Sequence, residues 1–248
     1  MEIGPGGAKK LGEFVARAFG ARAALIVTDA GVRGAGLLDA PLTALAEAGV
    51  AVEVFDQVVA DPPENVILEL AAIAARTDGL VIGFGGGSSM DAAKLAAVLA
   101  TGEQPLSDMY GVDNVRARRR PLLLIPTTAG TGSEVTPISI VTTGETTKMG
   151  VVSPVLYADC ALLDAELTLG LPPHVTASTG VDAMVHAIEA YTSKYKKNAI
   201  SDALAVRALE LLSDALPKAY TDGSDLEARQ NALLGAMLAG QAFANAPV

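Results

Sequence analysis

The stretch Leu80-Val81-Ile82-Gly83-Phe84-Gly85-Gly86-Gly87-Ser88-Ser89 constrains this chain more than any other. A short apolar run of strand type empties into a turn dense in glycine, and Asp91 to Leu99 then has helical spacing. Strand, glycine turn and helix in that order are how an open α/β sheet cradles a phosphate. Glycines place no Cβ between backbone and ligand, and the N–H groups of the turn and helix start point at the anion. Ser88 and Ser89 add hydroxyl donors, and Ser89 is placed to cap the helix. The spacing is not G-x-G-x-x-G, and no Gly-Lys-Ser/Thr follows as in a P-loop. Two readings stay open: a phosphate-binding turn, or a sharp strand-to-helix turn without a ligand. Three consecutive glycines cost chain entropy on ordering, which weighs against the second.

The alternation extends to both sides of the turn. Ala24-Leu25-Ile26-Val27 is an apolar run closed by Thr28-Asp29. Leu37 to Ala48 reads as a helix stopped by Gly49, and Val50 to Phe55 as a strand. Pro63 to Arg76 reads as a helix with proline near its first turn and Glu64 at its positive end. Leu122 to Ile125 is a fourth apolar strand. Ile138 to Thr143 and Lys148 to Val152 read as strands of a hairpin turning at Thr143-Gly144-Glu145, and Ala161 to Leu163 as one more. This order predicts an α/β domain whose parallel sheet is covered on both faces. After Leu171-Pro172-Pro173 the texture changes. Val175 to Thr192, Ala199 to Leu216 and Leu226 to Ala246 are rich in Ala and Leu at helical spacing, with no strand signal. Two domains are expected: an α/β domain over 1–171 and an all-helical domain over 172–248. The chain stops directly after a helix, at Asn245-Ala246-Pro247-Val248, so a truncated helical domain is expected.

Half of the residues are apolar but only 4% are aromatic, so the core must come from Ala, Val, Leu and Ile. A net charge of -10 makes nucleic acid and anionic membrane surfaces poor partners. The local exception, Arg116-Ala117-Arg118-Arg119-Arg120, is either a solvated loop before a strand or a phosphate contact. No stretch approaches the ~20 apolar residues of a membrane span, and the N-terminus has no signal-peptide pattern. The single cysteine, Cys160, cannot form an intramolecular disulfide and lies in an apolar run, as a small core residue. A cytoplasmic location is expected.

Three more features carry chemistry. Asp29 closes the first strand, and ligands of open α/β sheets sit beyond the carboxyl ends of the strands. An acid there accepts hydrogen bonds from an adenosine ribose and repels a 2′-phosphate; the alternative is a turn residue before Gly31. Pro126-Thr127-Thr128-Ala129-Gly130-Thr131-Gly132-Ser133-Glu134 brings hydroxyls and glycines to the same sheet edge, where they suit a second stretch of cofactor. Asp182 and His186 are four apart on one face of a predicted helix. They form either a local hydrogen bond or half of a catalytic metal site, which needs about three or more protein ligands. No residue is assigned as catalytic acid or base.

In order, these motifs resemble the iron-containing (group III) alcohol dehydrogenases. The segments are Val27-Thr28-Asp29; Gly85-Gly86-Gly87-Ser88 with Asp91 and Lys94; Pro126-Thr127-Thr128 with Gly130 to Glu134; Gly180-Val181-Asp182-Ala183 with His186-Ala187 and Glu189; and Ala242-Phe243 with Asn245-Ala246. The resemblance implies a Rossmann-like dinucleotide-binding domain followed by a helical domain, the dehydroquinate synthase-like architecture. It implies NAD(P)-dependent interconversion of small alcohols with aldehydes or ketones, Asp29 favouring NAD over NADP, with a divalent metal, Fe2+ or Zn2+, polarising the substrate oxygen. It implies cofactor contacts at Asp29, Gly85, Gly86, Gly87, Ser88, Asp91, Thr127, Thr128, Ser133 and Lys148; the last otherwise reads as a strand-end surface lysine. It implies metal ligands at Asp182 and His186, with Glu189 either behind them or exposed. The family holds its metal with one Asp and three His. This chain has two histidines, and His174 matches no ligand position, so it carries two of four expected ligands. As in the family, a homo-oligomer is expected.

Three rivals share parts of this pattern. A reductase that works without metal, of the maleylacetate reductase kind, shares the glycine turn. A cofactor-binding module without catalysis fits the missing histidines. Dehydroquinate synthase-like and glycerol-phosphate dehydrogenase-like enzymes share the architecture, but the Pro126 to Glu134 motif argues against them.

Overall fold

Six strands form one parallel sheet in the computed structural model, which describes residues 1–246; Pro247 and Val248, the end of the expected helical domain, lie outside the described residues. They are β1 (Glu2–Ile3), β2 (Ala23–Asp29), β3 (Ala51–Val58), β4 (Leu80–Gly85), β6 (Leu122–Pro126) and β9 (Cys160–Leu163), in the spatial order β1-β9-β6-β4-β2-β3. Numbering follows the chain, with β5 (Gly111–Val112), β7 (Ile138–Thr143) and β8 (Thr147–Val152) in a separate three-stranded sheet. The expected hairpin is there: β7 and β8 pair antiparallel, with Thr143 opposite Thr147 and Gly144 left-handed at φ +60°.

The apolar runs become central strands because both of their faces are covered. In β2, Leu25 and Val27 face one core with α4 (Glu64–Arg76) and α5 (Gly87–Leu99), while Ala24 and Ile26 face another with α1 (Leu11–Ala18) and α3 (Asp39–Glu47). Strands β4 and β6 split in the same way, Val81 and Leu124 to one side, Ile82 and Leu123 to the other. Each fully buried aliphatic side chain contributes roughly 1.5–3 kcal/mol. These two layers therefore dominate the stability of the α/β part.

A third core joins α6 (Pro173–Thr192), α7 (Ala199–Thr221) and α8 (Leu226–Asn245) to the sheet residues Ala161 and Leu163. It is built largely of alanine, and its helices approach closely: a Cβ on Gly235 would stand 2.8 Å from Leu212, and one on Gly180 2.2 Å from Leu216.

Several expectations need correction. The helix after the glycine turn begins at Gly87 rather than Asp91, with Gly86 at its N-cap. Ser89 therefore does not cap it; it lies inside the first turn, and its hydroxyl donates to Asp29 Oδ2 at 3.3 Å. Helix α7 runs past Leu216 through Pro217 to Thr221, whose hydroxyl donates to the Pro217 carbonyl at 2.8 Å. The N-terminal helix α1 and the short α2 (Ala30–Gly34) lie outside every periodic run read from the sequence. No helix among the described residues is long and apolar enough to cross a membrane.

Candidate functional site

The strand order reverses between β2 and β4: β3 lies on one side of β2, and β4, β6 and β9 follow on the other. A crevice opens at such a switch point, beyond the carboxyl ends of the strands. Asp29 ends β2 and Gly85 ends β4, so the two residues flank it. The Asp29 carboxylate caps α2, accepting from the N–H groups of Gly31 at 2.9 Å and Val32 at 3.0 Å. Gly85 adopts φ +155°, and a Cβ there would meet Ser89 Oγ at 2.7 Å and Asp29 Oδ2 at 3.3 Å. The turn is thus glycine for reasons of both backbone and space. No side chain caps α5, which leaves the N–H groups of its first turn available to an anion.

Two cavities meet over this turn. One of about 380 Å3 is lined by Asp29, Gly31, Val58 to Ala60 and Gly86 to Ser89. The other, about 630 Å3, runs from Gly87 and Ser88 past Thr131, Ser133, Ile138 and Ile140 to Asp182, His186 and Phe243. Gly87 and Ser88 belong to both. The result is a cleft from the first strand end to the helical region, with uncapped helix N–H groups at its middle.

The expected site residues divide into two sets. Asp29, Gly86, Gly87, Ser88, Asp91, Ser133, Lys148, Asp182 and His186 line the two cavities. Gly85, Thr127 and Thr128 line neither. Thr127 is buried at the end of β6 with its N–H bonded to the Gly85 carbonyl at 3.0 Å, so it fixes the turn from below. Asp91 lines the cleft but is engaged by the protein: it accepts from Ser133 Oγ at 2.6 Å and from the Ile140 N–H at 3.0 Å. Lys148 pairs with Asp61 across the rim at 2.9 Å, and the Asp61 N–H donates to Ser88 Oγ at 3.2 Å. Asp61, left-handed at φ +50°, lies outside every motif read from the sequence, as does the role of Phe243 against His186. The arginine run is tied to acids, Arg118 to Glu103, Arg119 to Asp159 and Arg120 to Asp78.

The metal expectation meets a two-donor site. Asp182 Oδ1 lies 3.9 Å from His186 Nε2, too far for a hydrogen bond, and the buried Nδ1 of His186 has no hydrogen-bond partner among the described residues. The His186 ring packs on Phe243 with centroids 5.1 Å apart. Carboxylate and imidazole suit a divalent transition metal in kind. In number they do not: no group of three or more His, Cys, Asp or Glu among the described residues is arranged to hold an ion. His174 is exposed at the start of α6, and Glu189 is half-buried outside the cleft.

Beneath the cleft lie two buried titratable groups. Burial pushes the Glu134 carboxyl up to about 7, its own N–H bond and the attraction of Lys94 opposing weakly. Lys94 is fully buried, and desolvation lowers its ammonium pKa against the pull of Asp91 and Glu134.

Comparison with known proteins decides the lineage. The family model described as iron-containing alcohol dehydrogenase matches residues 1–165, and the C-terminal model of the same family matches residues 176–248. The chain belongs to the iron-containing alcohol dehydrogenase family. Long-chain-alcohol dehydrogenase 1 of Geobacillus thermodenitrificans is 46% identical over 237 residues, 92% of this chain and 58% of that protein. Among solved structures, a 1,3-propanediol oxidoreductase superposes with a TM-score of 0.94 at 36% identity, over 100% of this chain and 65% of that one. Sulfoacetaldehyde reductase from Bifidobacterium kashiwanohense, solved in complex with NAD+, superposes with a TM-score of 0.88 at 32% identity, over 98% and 65%. The chain thus spans about three fifths of the length of its curated relatives. The family fold, a Rossmann-like parallel-sheet part followed by helices, is the one described above.

Proposed function

We propose that the cleft binds a nicotinamide dinucleotide, NAD ahead of NADP, for hydride exchange with a small alcohol or aldehyde. The observation that carries this reading is the continuity of the two cavities through Gly87 and Ser88. The adenosine end lies at Asp29, whose carboxylate accepts ribose hydroxyls and repels a 2′-phosphate. The pyrophosphate lies over Gly86, Gly87 and Ser88, bonded by the first N–H groups of α5. The nicotinamide end enters the larger cavity, where Thr131 and Lys148 offer donors, Ser133, its proton held by Asp91, lines the wall, and Ile138, Ile140 and Phe243 exclude water. Thr127 holds the glycine turn through the Gly85 carbonyl, Asp91 holds the threonine loop through Ser133 and the Ile140 N–H, and Thr128 stands beside Gly86.

Asp182 and His186 face the far end of that cavity, and we assign them as two donors to a divalent metal, Fe2+ or Zn2+. Among the described residues no third His, Cys, Asp or Glu joins them. When bound, the dinucleotide carries the hydride and the ion draws electron density from the substrate oxygen. The contribution of this chain is to hold the reacting partners together in a cleft walled on one side by α5 and on the other by α6 and α8. A second reading, a cofactor-binding unit that does not turn over by itself, is favoured by the two-donor metal site.

One assay separates them. The purified chain is supplied with NAD+, a series of primary alcohols, and Fe2+ or Zn2+, and NADH is followed by its near-ultraviolet absorbance. Alcohol-dependent NADH formation supports the dehydrogenase reading. NADH binding without turnover selects the second, and neither binding nor turnover overturns both.

A further inference from the structure

One buried cation has no place in the chemistry above. Lys94 lies on α5 two turns beyond Gly87 and is fully buried. Its Nζ donates to Ser133 Oγ at 2.7 Å, to the Ile138 carbonyl at 2.7 Å and to Thr136 Oγ1 at 3.3 Å, and stands 3.5 Å from Asp91 Oδ1. All its hydrogen bonds cross from α5 to a single segment, 133–138. A buried ammonium is costly, and an apolar side chain of similar volume is often as stabilising. What the ammonium adds is a fixed position for its partners.

That segment belongs to the far wall of the cleft. Thr131, just before it, presses on Gly87: a Cβ on that glycine would stand 2.8 Å from Thr131 Cγ2. Gly132 touches Gly240 of α8, where a Cβ would come within 2.6 Å of the Gly240 Cα. Helix α8 then carries Phe243 onto His186. A shift of the segment would move the phosphate turn relative to the helical wall.

We propose that Lys94 is a positioning residue that clamps residues 131–138 to α5 and so sets the width of the nicotinamide half of the cleft. The proposal rests on the dinucleotide reading. It predicts an asymmetry, because none of Asp91, Lys94, Ser133, Thr136 and Ile138 lines the adenosine half.

The test titrates the 248-residue chain and its Lys94→Met and Lys94→Gln variants with ADP and with NADH. ADP reaches only from Asp29 to the phosphate turn. In Lys94→Met the affinity for ADP stays within about twofold while that for NADH falls about tenfold or more, equivalent to the loss of a set of charge-assisted bonds. Lys94→Gln keeps a donor and recovers part of the NADH affinity. Equal weakening of both ligands marks a merely structural lysine and overturns the proposal, as does an unchanged NADH affinity. Should Lys94→Met not fold, the ADP-to-NADH contrast in Lys94→Gln decides in the same way. If the unaltered chain binds neither ligand, the dinucleotide reading falls and this proposal with it; if it binds both and the variants match it, this proposal alone falls.

Discussion

Gly87 and Thr131 touch with no room between them: a methyl on the glycine would lie 2.8 Å from Thr131 Cγ2 and 3.0 Å from its Oγ1. The contact joins the phosphate turn to the threonine loop. Thr131 is exposed and lines the cleft, so it can give way to an added methyl, and its displacement alters the cleft wall. Gly87→Ala is therefore expected to change stability by less than about 1 kcal/mol, small for an overpacking change. It should still weaken NADH binding about tenfold. Thermal melting and fluorescence titration measure the two, and a normal NADH affinity would refute the placement of the pyrophosphate.

Asp29 is expected to set cofactor choice by charge. Asp29→Asn keeps a side-chain oxygen for the Gly31 and Val32 N–H groups, so α2 keeps its cap. Removing the charge removes repulsion of a 2′-phosphate, and the NADPH-to-NADH affinity ratio should rise about tenfold, the effect of roughly 1.4 kcal/mol. Both ligands are titrated at one fixed salt concentration. A ratio that stays put would detach Asp29 from the adenosine ribose.

Glu134 predicts a pH dependence of stability. Its folded-state pKa of about 7 lies above the ordinary 4.5 because burial disfavours the charge. Between those values the folded protein holds a proton that the unfolded chain has released. The stabilisation is full below the ordinary value and is lost as pH rises through the folded one. Glu134→Gln stays neutral, so relative to the parent it should gain stability between pH 5 and pH 8, on the order of 1–3 kcal/mol. Urea midpoints at the two pH values check this; parallel pH profiles for parent and variant would contradict it.

The two-donor metal site makes a prediction about retention. Asp182 and His186 alone hold an ion weakly, whereas catalytic sites rely on about three or more protein ligands. The 248-residue chain loaded with Zn2+ or Fe2+ should lose it on dialysis against a mild chelator, and elemental analysis should find far less than one equivalent. Stoichiometric retention would mean that a third donor lies where the structure shows none.

Much of this was legible in the sequence because it rests on local pattern. The runs Leu25 to Val27, Leu80 to Ile82 and Leu122 to Ile125 are buried on both faces, so their periodicity needs no partner to be read. The motifs around Gly85, Pro126 and Asp182 fall along one cleft because each sits at a strand end or on a facing helix. What escaped depends on distant contacts. Asp61 enters the site through Lys148 and Ser88, 87 and 27 residues away, respectively. Lys94 stands in the sequence only as part of the glycine-turn motif, and the fold alone brings residues 133–138 over it. Helix α1 gives little sequence signal because its stripe of Leu11, Phe14 and Val15 is short and follows a glycine-rich start. Glycines argue for a turn, whereas at the start of α5 they form the helix N-cap and first position.

On the proposed function, one nicotinamide dinucleotide spans the cleft from Asp29 to His186. Titration of the purified chain with NADH, following nicotinamide fluorescence, tests it most directly. Saturable binding at one site per chain, displaced by ADP and by NAD+, is expected. Fluorescence that rises without saturation, or saturable binding that ADP does not displace, would contradict it.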